Sequence, residues 1–351
     1  MNSELQQLVA ELAARHDLSD AGLLRLLECS DDDLNEALAL RARMLAQKTY
    51  DHEIYMRGLI EFTSFCRNDC RYCGLRCSNG ETARYRLSPA EILSCAESGH
   101  ALGFRTFVLQ GGEDPGFPDA QLIEVIRAIK KSWPDSAVTL SVGERPRKIY
   151  EAFYEAGCDR YLLRHETADA AHYRILHPQP LSLAERKRCL FDLRDIGFQT
   201  GCGIMVGSPG QTEHTLLKDL RFMQQLQPHM IGIGPFIAAH GTPFAAAPDG
   251  TLEQTLRLLS MLRLLFPKVL LPATTALGTI DPTGREKGIL AGANVVMPNL
   301  SPQSVRGKYS IYDNKIFTGP EAAEGSNSLS TRLQQIGYRL VYARGDHPDC
   351  R

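Results

Sequence analysis

The sequence predicts a closed α/β barrel of eight strand–helix units, the (β/α)8 or TIM-type fold, with a helical extension before it and a short helical tail after it. After Tyr50, short apolar runs alternate with longer amphipathic segments over about 240 residues, which is the pattern of a parallel sheet with helical crossovers. Eight such units follow one another, and no Gly-x-Gly-x-x-Gly pattern follows the first run. A barrel is therefore favoured over an open, dinucleotide-binding sheet.

The elements follow from the spacing of apolar residues. Leu5, Leu8, Val9 and Leu12 recur at helical spacing, so residues 2–47 are predicted to be helical. The predicted strands are Gly58–Thr63, Thr106–Gln110, Ala137–Val142, Arg160–Arg164, Thr200–Val206, Met230–Gly234, Val269–Thr274 and Asn294–Met297. The predicted helices after them are Pro89–Leu102, Asp119–Lys131, Pro146–Ala156, Leu183–Ile196, Thr212–Leu226, Leu252–Leu265 and one near Thr331–Ile336. We expect three parts: an extension at 1–50, the barrel at 51–312 and a tail at 313–351.

Charge and hydropathy exclude several classes of function. Lys and Arg number 39 against 41 Asp and Glu, a net charge of −2, which argues against a nucleic-acid partner or a polybasic membrane surface. No apolar run approaches the roughly 18 residues that span a bilayer, and Met1–Gln7 lacks the basic-then-apolar pattern of a signal peptide. We therefore expect a cytoplasmic protein that binds neither nucleic acid nor membrane.

Four cysteines cluster in one short stretch. Cys66, Cys70, Cys73 and Cys77 lie in the loop directly after the first predicted strand, and loops after barrel strands open on the catalytic face. Thiolates at this spacing suit an iron–sulfur cluster or zinc. Three thiolates leave one iron of a 4Fe-4S cluster open to a reactant, whereas a fourth from Cys77 would give an electron carrier or a closed zinc site. The scattered cysteines are predicted to be small buried hydrophobic residues, namely Cys29, Cys95, Cys158, Cys189 and Cys202.

The spacing Cys66-x3-Cys70-x2-Cys73, with the aromatic Tyr72 before the third cysteine, resembles the signature of the radical S-adenosylmethionine (SAM) superfamily. The resemblance implies one 4Fe-4S cluster held by these three cysteines, whose open iron chelates the amino and carboxylate groups of SAM. In that superfamily, an electron from the reduced cluster cleaves SAM into methionine and a 5′-deoxyadenosyl radical. No second cysteine triad occurs in 317–329, so a single cluster is predicted.

Other stretches resemble the segments with which this superfamily holds SAM. Gly112 and Glu113 match a Gly-Gly-Glu stretch that holds the amino group of SAM, and Met205 lies in a stretch similar to the adenine-contacting segment. A guanidinium such as that of Arg164 suits the carboxylate of SAM, and Glu166 suits its ribose or sulfonium. The expected cofactor contacts are Tyr72, Gln110, Gly112, Glu113, Thr139, Ser141, Arg164, Glu166, Arg186 and Met205. Tight glycine turns and a surface ion pair are the structural alternatives.

Within the superfamily, the chain from about Asp51 to Tyr312 is similar to maturases of FeFe-hydrogenase. The stretches that carry this resemblance are Cys66–Arg76, Tyr161–Ala168, Ile231–Ile237, Pro272–Thr279 and Gly292–Asn299. The resemblance implies an internal cavity lined by Thr274, Thr275, Met297, Tyr309 and Tyr312, with Arg57 deeper in the barrel. Ordinary core packing is the alternative for the methionine and the aromatic residues.

The same resemblance implies a small-molecule substrate, an iron–carbonyl–cyanide species that carries cysteine, with radical attack at sulfur. It also implies an electron donor such as ferredoxin or flavodoxin, and two companion maturation proteins, HydG as the source of the substrate and HydF as the acceptor of the product. The alternatives are a methylornithine-synthase-like mutase acting on lysine, a non-catalytic iron–sulfur carrier or scaffold, and a zinc-dependent hydrolase. The stretches Thr274–Thr275 and Met297–Asn299 favour the maturase over the mutase.

Overall fold

Three helices precede the barrel, as the apolar spacing predicts. The computed structural model describes residues 2–318 and 322–350. The helices are α1 (Ser3–Arg15), α2 (Asp20–Glu28) and α3 (Asp32–Tyr50). Each begins at a polar cap, because the side chains of Asn2, Ser19 and Asp31 accept a backbone N–H of the first turn.

The strands form two hydrogen-bonded sheets that together make the barrel wall. They are β1 (Glu53–Met56), β2 (Gly58–Thr63), β3 (Thr106–Gly111), β4 (Ala137–Ser141), β5 (Arg160–Leu162), β6 (Gln199–Val206), β7 (Met230–Pro235), β8 (Val295–Val296) and β9 (Arg339–Val341). Strands β2 to β7 form a six-stranded parallel sheet in chain order, and β8, β1 and β9 form a second parallel sheet. Single bridges, such as Leu59 with Asn299, join the two sheets. The predicted parallel α/β architecture is confirmed.

Helices cover the outside of the barrel between the strands. They are α4 (Pro89–Ala101), α5 (Asp119–Ser132), α6 (Arg147–Glu155), α7 (Ala170–Leu176), α8 (Leu183–Ile196), α9 (Glu213–Leu226), α10 (Leu252–Leu265), α11 (Thr275–Ile280), α12 (Gly284–Leu290), α13 (Gln303–Arg306) and α14 (Ser326–Gln335). Helices α8 and α10 have the predicted bounds, and Ser88 begins α4 in a capping box with Glu91. Within the described residues, no helix is long and apolar enough to cross a membrane.

The predicted strand at Val269–Thr274 is wrong. Only isolated bridges occur there, from Leu270 to β7 and from Pro272 to β8. Pro272 has no N–H to donate to a ladder, and Thr274 already occupies the cap position of α11. The segment therefore completes the barrel wall without forming a regular strand.

The tail closes the bottom of the barrel, the end where the strands begin. Strand β9 pairs with β1, and the chain after β9 continues beneath the barrel. There the carbonyl oxygen of Gly345 accepts Nη2 of Arg57 at 3.2 Å, and Asp346 pairs with Arg160 at 2.6 Å. The opposite end, called the mouth below, carries the loops that follow the strands.

Candidate active site

The cysteine loop leaves β2 at the mouth and is tied to the loop after β3. The backbone N–H of Arg67 donates to the carbonyl oxygen of Glu113 at 2.9 Å. A Cβ atom on Gly112 would lie 2.2 Å from the carbonyl oxygen of Phe65 and 2.6 Å from the Cβ atom of Cys66, so this approach requires glycine. The cysteine motif and the Gly-Gly-Glu stretch therefore lie side by side.

The four thiols of the loop differ in exposure. Cys66, Cys70 and Cys73 are half-buried, whereas Cys77 is exposed. Burial raises the pKa of the three half-buried thiols, that of Cys73 to about 12, because a thiolate loses hydration there. Thiols of this kind become ligands when a metal displaces their protons. Cys77 does not share the environment of the other three.

The three sulfur atoms do not form a compact set of zinc ligands in this structure. Within residues 2–318 and 322–350, a single group of three metal-ligating side chains has all its donor atoms within 4.8 Å of one another, and these cysteines are not in it. Thiolates on one tetrahedral zinc, with Zn–S bonds of about 2.3 Å, would place their sulfurs about 3.8 Å apart. A cubane cluster binds each thiolate through a different iron atom and accepts a wider spacing.

Tyr72 is held by a histidine that no sequence motif reveals. The phenol O–H of Tyr72 donates to Nε2 of His177 at 3.1 Å, and the imidazole stacks on Tyr173 with ring centroids 4.1 Å apart. Burial lowers the pKa of His177 to about 3, so the ring is neutral near pH 7 and Nε2 accepts this hydrogen. His177 directly follows α7, and only the fold brings it to Tyr72.

Glu113 joins three loops of the mouth. Its carboxylate lies 2.9 Å from Nη2 of Arg67 on the cysteine loop and accepts the backbone N–H of Glu144, after β4, at 3.0 Å. Gly143 has a φ of 79°, and a Cβ atom there would lie 2.2 Å from this carboxylate. Glu113 therefore holds the loops after β2, β3 and β4 at a fixed spacing.

A second set of charges links the loops after β4 and β5. Arg186 on α8 forms an ion pair with Glu144, and its Nη1 donates to the carbonyl oxygen of Arg164 at 2.6 Å. Nη2 of Arg164 lies 3.1 Å from Oε2 of Glu166, which has a φ of 63°. Nε of Arg164 is buried and has no hydrogen-bond partner among the described residues. The mouth therefore offers a cationic donor for an acceptor that the chain does not supply.

Three further predicted cofactor residues lie at the ends of β3, β4 and β6. Gln110 is level with Ser141 in the register of β3 and β4, and its Nε2 lies 3.4 Å from the hydroxyl oxygen of Tyr309. Met205 packs in a small apolar cluster that includes Tyr72. Gln110 and Ser141 therefore lie side by side at the mouth, and Met205 is in the same cluster as an aromatic side chain of the cysteine loop.

The predicted substrate residues divide between two levels of the barrel. Thr274 precedes α11 at the mouth, and its Oγ1 is buried with no hydrogen-bond partner among the described residues. Arg57 lies at the bottom, where Nη1 is 3.0 Å from Sδ of Met230 and where it lines a narrow cavity with Thr139. Met297 packs against the cluster that includes Met230 and Val295. Arg57 therefore lies deeper than Thr274, and Thr139, which the sequence assigned to the cofactor, lines the same cavity as Arg57.

The last two predicted residues, Thr275 and Tyr312, are half-buried. Thr275 is the first residue of α11, and Tyr312 follows α13 in a segment that lies over the cysteine loop. In that segment, the carbonyl oxygen of Ile311 accepts the N–H of Gly74 at 2.9 Å.

A buried ion pair outside the predicted set lies next to Tyr309. Oε1 of Glu61 on β2 is 2.5 Å from Nζ of Lys315, and both side chains are nearly inaccessible. The other carboxylate oxygen accepts Nδ2 of Asn299 at 2.7 Å. Nζ of Lys315 also lies 4.9 Å from the centre of the Tyr309 ring. The sequence feature that could have indicated this pair was a charged residue, Glu61, within an otherwise apolar predicted strand.

Comparison with known proteins adds to this geometry. The model of the Radical SAM superfamily matches residues 60–223. The chain is 43% identical over 308 residues to the FeFe hydrogenase maturase subunit HydE of Thermotoga maritima, covering 88% of each protein. It is 29% identical to the 3-methylornithine synthase of Methanosarcina acetivorans, over 91% of this chain and 89% of that protein. The crystal structure of methylornithine synthase (PylB) superposes with a TM-score of 0.85 at 27% identity, covering 95% of this chain and 97% of that one.

A parallel barrel whose first loop at the mouth carries three spaced thiols is the architecture of radical SAM enzymes. The chain belongs to the radical SAM superfamily and, within it, to the family of the hydrogenase maturase HydE. The superfamily uses a 4Fe-4S cluster and SAM. The site fits both, because three sulfur donors share one loop and the buried Nε of Arg164 lacks an acceptor among the described residues. The predicted TIM-type fold and enzyme class are thereby confirmed.

Proposed function

We propose that this enzyme holds one 4Fe-4S cluster through Cys66, Cys70 and Cys73, cleaves SAM reductively, and acts in the maturation of FeFe-hydrogenase. Its substrate is a small, cysteine-bound iron–carbonyl–cyanide species. The observation that carries the proposal is the group of three half-buried thiols at the mouth, beside charged residues from three further loops. When bound, the reduced cluster and SAM supply a 5′-deoxyadenosyl radical.

The chain holds SAM by charge in this proposal. The guanidinium of Arg164, with its unpartnered Nε, binds the carboxylate of SAM, since charge-assisted hydrogen bonds to carboxylates are strong. Glu166 accepts hydrogen bonds from the ribose hydroxyl groups. Arg186 positions Arg164 through its carbonyl oxygen. The loop of Gly112 and Glu113 binds the amino group, in contact with the cysteine loop.

The aromatic and apolar side of the site orients the adenosyl group. Tyr72 and Met205 lie together in one apolar cluster, and the hydrogen bond to His177 keeps the Tyr72 ring in one orientation. Gln110 and Ser141 present polar groups from the same level of neighbouring strands.

The substrate lies further into the barrel. The hydroxyl groups of Thr274 and Thr139 are buried and have no partner among the described residues, so they are available to the oxygen or nitrogen atoms of an anionic guest. The sequence assigned Thr139 to SAM; because it lines the lower cavity with Arg57, we assign it to the substrate instead. Nε of Arg57 is likewise buried without a partner in the described chain, and its positive charge attracts such a guest from below. The remaining wall residues of the proposal are Thr275, Met297, Tyr309 and Tyr312.

The partners of the proposal follow from similarity to HydE at 43% identity. They are a ferredoxin or flavodoxin that reduces the cluster, HydG as the source of the substrate and a HydF-type acceptor of the product. We place the reaction in the cytoplasm, because none of the ten cysteines forms a disulfide and reducing compartments keep cysteines out of disulfides.

The test is anaerobic turnover of the reconstituted, dithionite-reduced enzyme. With SAM alone, we expect 5′-deoxyadenosine and methionine, detected by liquid chromatography and mass spectrometry. With the cysteine-bound iron synthon added, we expect conversion of the synthon, followed by EPR and mass spectrometry. Absence of 5′-deoxyadenosine would contradict radical SAM chemistry, and an unchanged synthon would contradict the substrate assignment alone.

A second candidate is a mutase that converts lysine to methylornithine. It is supported by the 0.85 TM-score with methylornithine synthase. Incubation of the same reduced enzyme with SAM and lysine tests it. Under the hydrogenase proposal, lysine is recovered unchanged, and formation of methylornithine would replace that proposal with the mutase.

A further inference from the structure

Two histidines and a cysteine meet beneath the barrel, at the end opposite the mouth. His229 lies directly before β7, and His347 and Cys350 lie at the end of the tail. The ligand atoms that they offer, imidazole nitrogens and a sulfur, all lie within 4.8 Å of one another. The two imidazole rings meet edge to face, with centroids 4.9 Å apart. Three metal-ligating side chains from two distant parts of the chain therefore converge at one point.

The local structure of the tail presents two of these side chains together. Pro348–Cys350 forms a 3-10 turn, in which the N–H of Cys350 donates to the carbonyl oxygen of His347 at 2.8 Å. The N–H of His347 donates to Oε1 of Gln199 at 3.0 Å, which fixes the turn against the start of β6. The His-x-x-Cys sequence is therefore held next to His229 by contacts that do not involve the ligand atoms.

We propose that His229, His347 and Cys350 bind one Zn²⁺ ion that fastens the tail to the barrel. Two imidazoles and a thiolate are typical zinc ligands, and the group contains none of the oxygen donors that Mg²⁺ or Ca²⁺ prefers. A water molecule completes the tetrahedral coordination, since Cys350 is exposed to solvent. Binding releases the proton of the Cys350 thiol to solvent and leaves both imidazoles neutral.

When one ring nitrogen of His347 binds the metal, a carboxylate lies near the other ring nitrogen. Its Nδ1 accepts the N–H of Asp349 at a long 3.3 Å and lies 3.9 Å from Oδ2 of the same residue. When Nε2 binds the metal, the hydrogen of the ring resides on Nδ1, so the weak contact with the N–H of Asp349 is lost, and the carboxylate of the same residue has to approach from 3.9 Å to accept that hydrogen. A carboxylate behind a zinc-bound histidine is a recurrent arrangement that orients the ring.

Ligation by His229 carries a cost. Its Nδ1 accepts the backbone N–H of Thr200 at 3.1 Å, which places the ring hydrogen on Nε2 in the metal-free protein. Binding through Nε2 moves that hydrogen to Nδ1 and removes the contact with Thr200. The cost is the same for every ion, so it leaves measurable binding only for ions with high affinity for imidazole and thiolate, such as Zn²⁺ and Cu²⁺, which bind such ligands more tightly than Mn²⁺ and Fe²⁺ do.

The metal strengthens the closure of the bottom of the barrel. The same tail supplies Gly345 and Asp346, the partners of Arg57 and Arg160. The three ligands meet only in the folded protein, so zinc binds the folded state in preference to the unfolded chain and stabilises it. Zinc therefore raises the Tm of the enzyme. This inference does not depend on the reaction proposed for the mouth.

The test uses the cluster-loaded enzyme, so that zinc does not occupy the cysteines of the mouth. The holoenzyme is incubated anaerobically with zinc sulfate and passed through gel filtration, and its zinc and iron contents and its Tm are measured. We expect about one zinc per wild-type chain, and about tenfold less in His347→Ala and Cys350→Ser, with iron unchanged. His240→Ala, which alters an exposed histidine of the mouth, is the matched control and keeps the wild-type zinc content.

Binding of Co²⁺ gives a spectroscopic signal that would not depend on Cys350 if these residues only packed against one another. The cobalt-loaded wild type shows thiolate-to-cobalt charge-transfer absorption, and Cys350→Ser loses it. A wild type that retains no zinc after gel filtration would overturn the proposal, as would equal zinc contents in wild type, His347→Ala and Cys350→Ser. Cleavage of SAM, measured on the same samples, reports on the mouth separately, so the two proposals fail independently.

Discussion

Charged side chains are buried at both ends of the barrel, but their partners differ. At the bottom, Arg160 is 3% exposed and donates to Thr106, Gln199 and the tail residues Arg344 and Asp346. At the mouth, the Arg164 side chain is paired with a carboxylate, yet its buried Nε has no partner among the described residues. The chain itself supplies the acceptors for Arg160 at the bottom, whereas it leaves a donor of Arg164 without one at the mouth.

The difference shows that residue type does not separate a structural charge from a binding charge. Arg160 and Arg164 lie on the same segment of chain, one at the start of β5 and one just after its end. Arg57 is an intermediate case, because Nη2 bonds to the tail whereas Nε has no partner in the described chain. A buried donor without an acceptor supports a binding role where it lies beside the cysteine loop, since such groups are rarely left unpaired. The same feature at Nδ2 of Asn294, outside the site, carries no such role.

The largest expected effect comes from removing a thiol of the mouth. We expect Cys73→Ser to lower cluster iron and the rate of SAM cleavage by on the order of a thousandfold or more, because the cluster loses a ligand. Iron analysis and 5′-deoxyadenosine formation measure this. Cys77→Ser is the matched control, since that thiol is exposed, and it keeps both. Equal losses in the two variants would show that Cys77 is also a ligand.

At the bottom, the expected effect is on stability. Asp346→Asn leaves Arg160 buried with a neutral partner, and breaking a buried ion pair costs about 3–5 kcal/mol. Denaturant unfolding measures the loss, while SAM cleavage per folded enzyme stays unchanged. Asp51→Asn removes an exposed ion pair with Arg339 and should leave stability almost unchanged, because water screens such a pair. If Asp346→Asn lost SAM cleavage but kept its stability, the ion pair of Asp346 with Arg160 would not have the structural role assigned to it.

A smaller effect is expected from Arg164. Arg164→Met removes a charged hydrogen bond to bound SAM, worth about 1.5–3 kcal/mol, so the KM for SAM should rise about 10- to 100-fold. Stability should change little, because this side chain is partly exposed in its pair with Glu166. Arg147→Met, in an exposed ion pair of α6, is the control. An unchanged KM for SAM would show that Arg164 does not bind SAM.

The smallest expected effect is a pH dependence of the stability that the ion pair at the bottom of the barrel provides. The neighbouring Arg344 and Arg160 hold the pKa of Asp346 well below its usual range. A carboxyl group whose pKa is lower in the folded than in the unfolded state stabilises the folded state at pH values above the unfolded pKa, about 3.9. That contribution is lost as the pH falls through the folded pKa. The difference in unfolding free energy between wild type and Asp346→Asn should therefore shrink below about pH 4. A constant difference from pH 6 to pH 3 would contradict this.

Local patterns were sufficient for much of the fold. The bounds of β2, α8 and α10 agree with the prediction, because apolar spacing and caps act within one segment. The strand expected at Val269–Thr274 fails because Pro272 cannot donate to a ladder. Strands β1 and β9 were missed, because their pairing depends on where the distant tail lies.

In the candidate site, too, local motifs could be predicted from the sequence, whereas contacts between distant residues could not. The three cysteines and the Gly-Gly-Glu stretch were identifiable because each is a local motif. The ion pair of Glu61 with Lys315 and the hydrogen bond of Tyr72 to His177 join residues far apart in the chain. Spacing carries no information about such pairs, so only the folded barrel reveals them.

The amino-acid sequence by itself determined the class of this protein, since a metal-ligand spacing and an alternating strand–helix pattern are properties of neighbouring residues. The tertiary structure alone decided which charges are satisfied. It places Asp346 beside Arg160 and leaves Nε of Arg164 unpartnered within the described chain. The physical reason is that an ionic hydrogen bond depends on distance in space, and the closure of the barrel sets those distances.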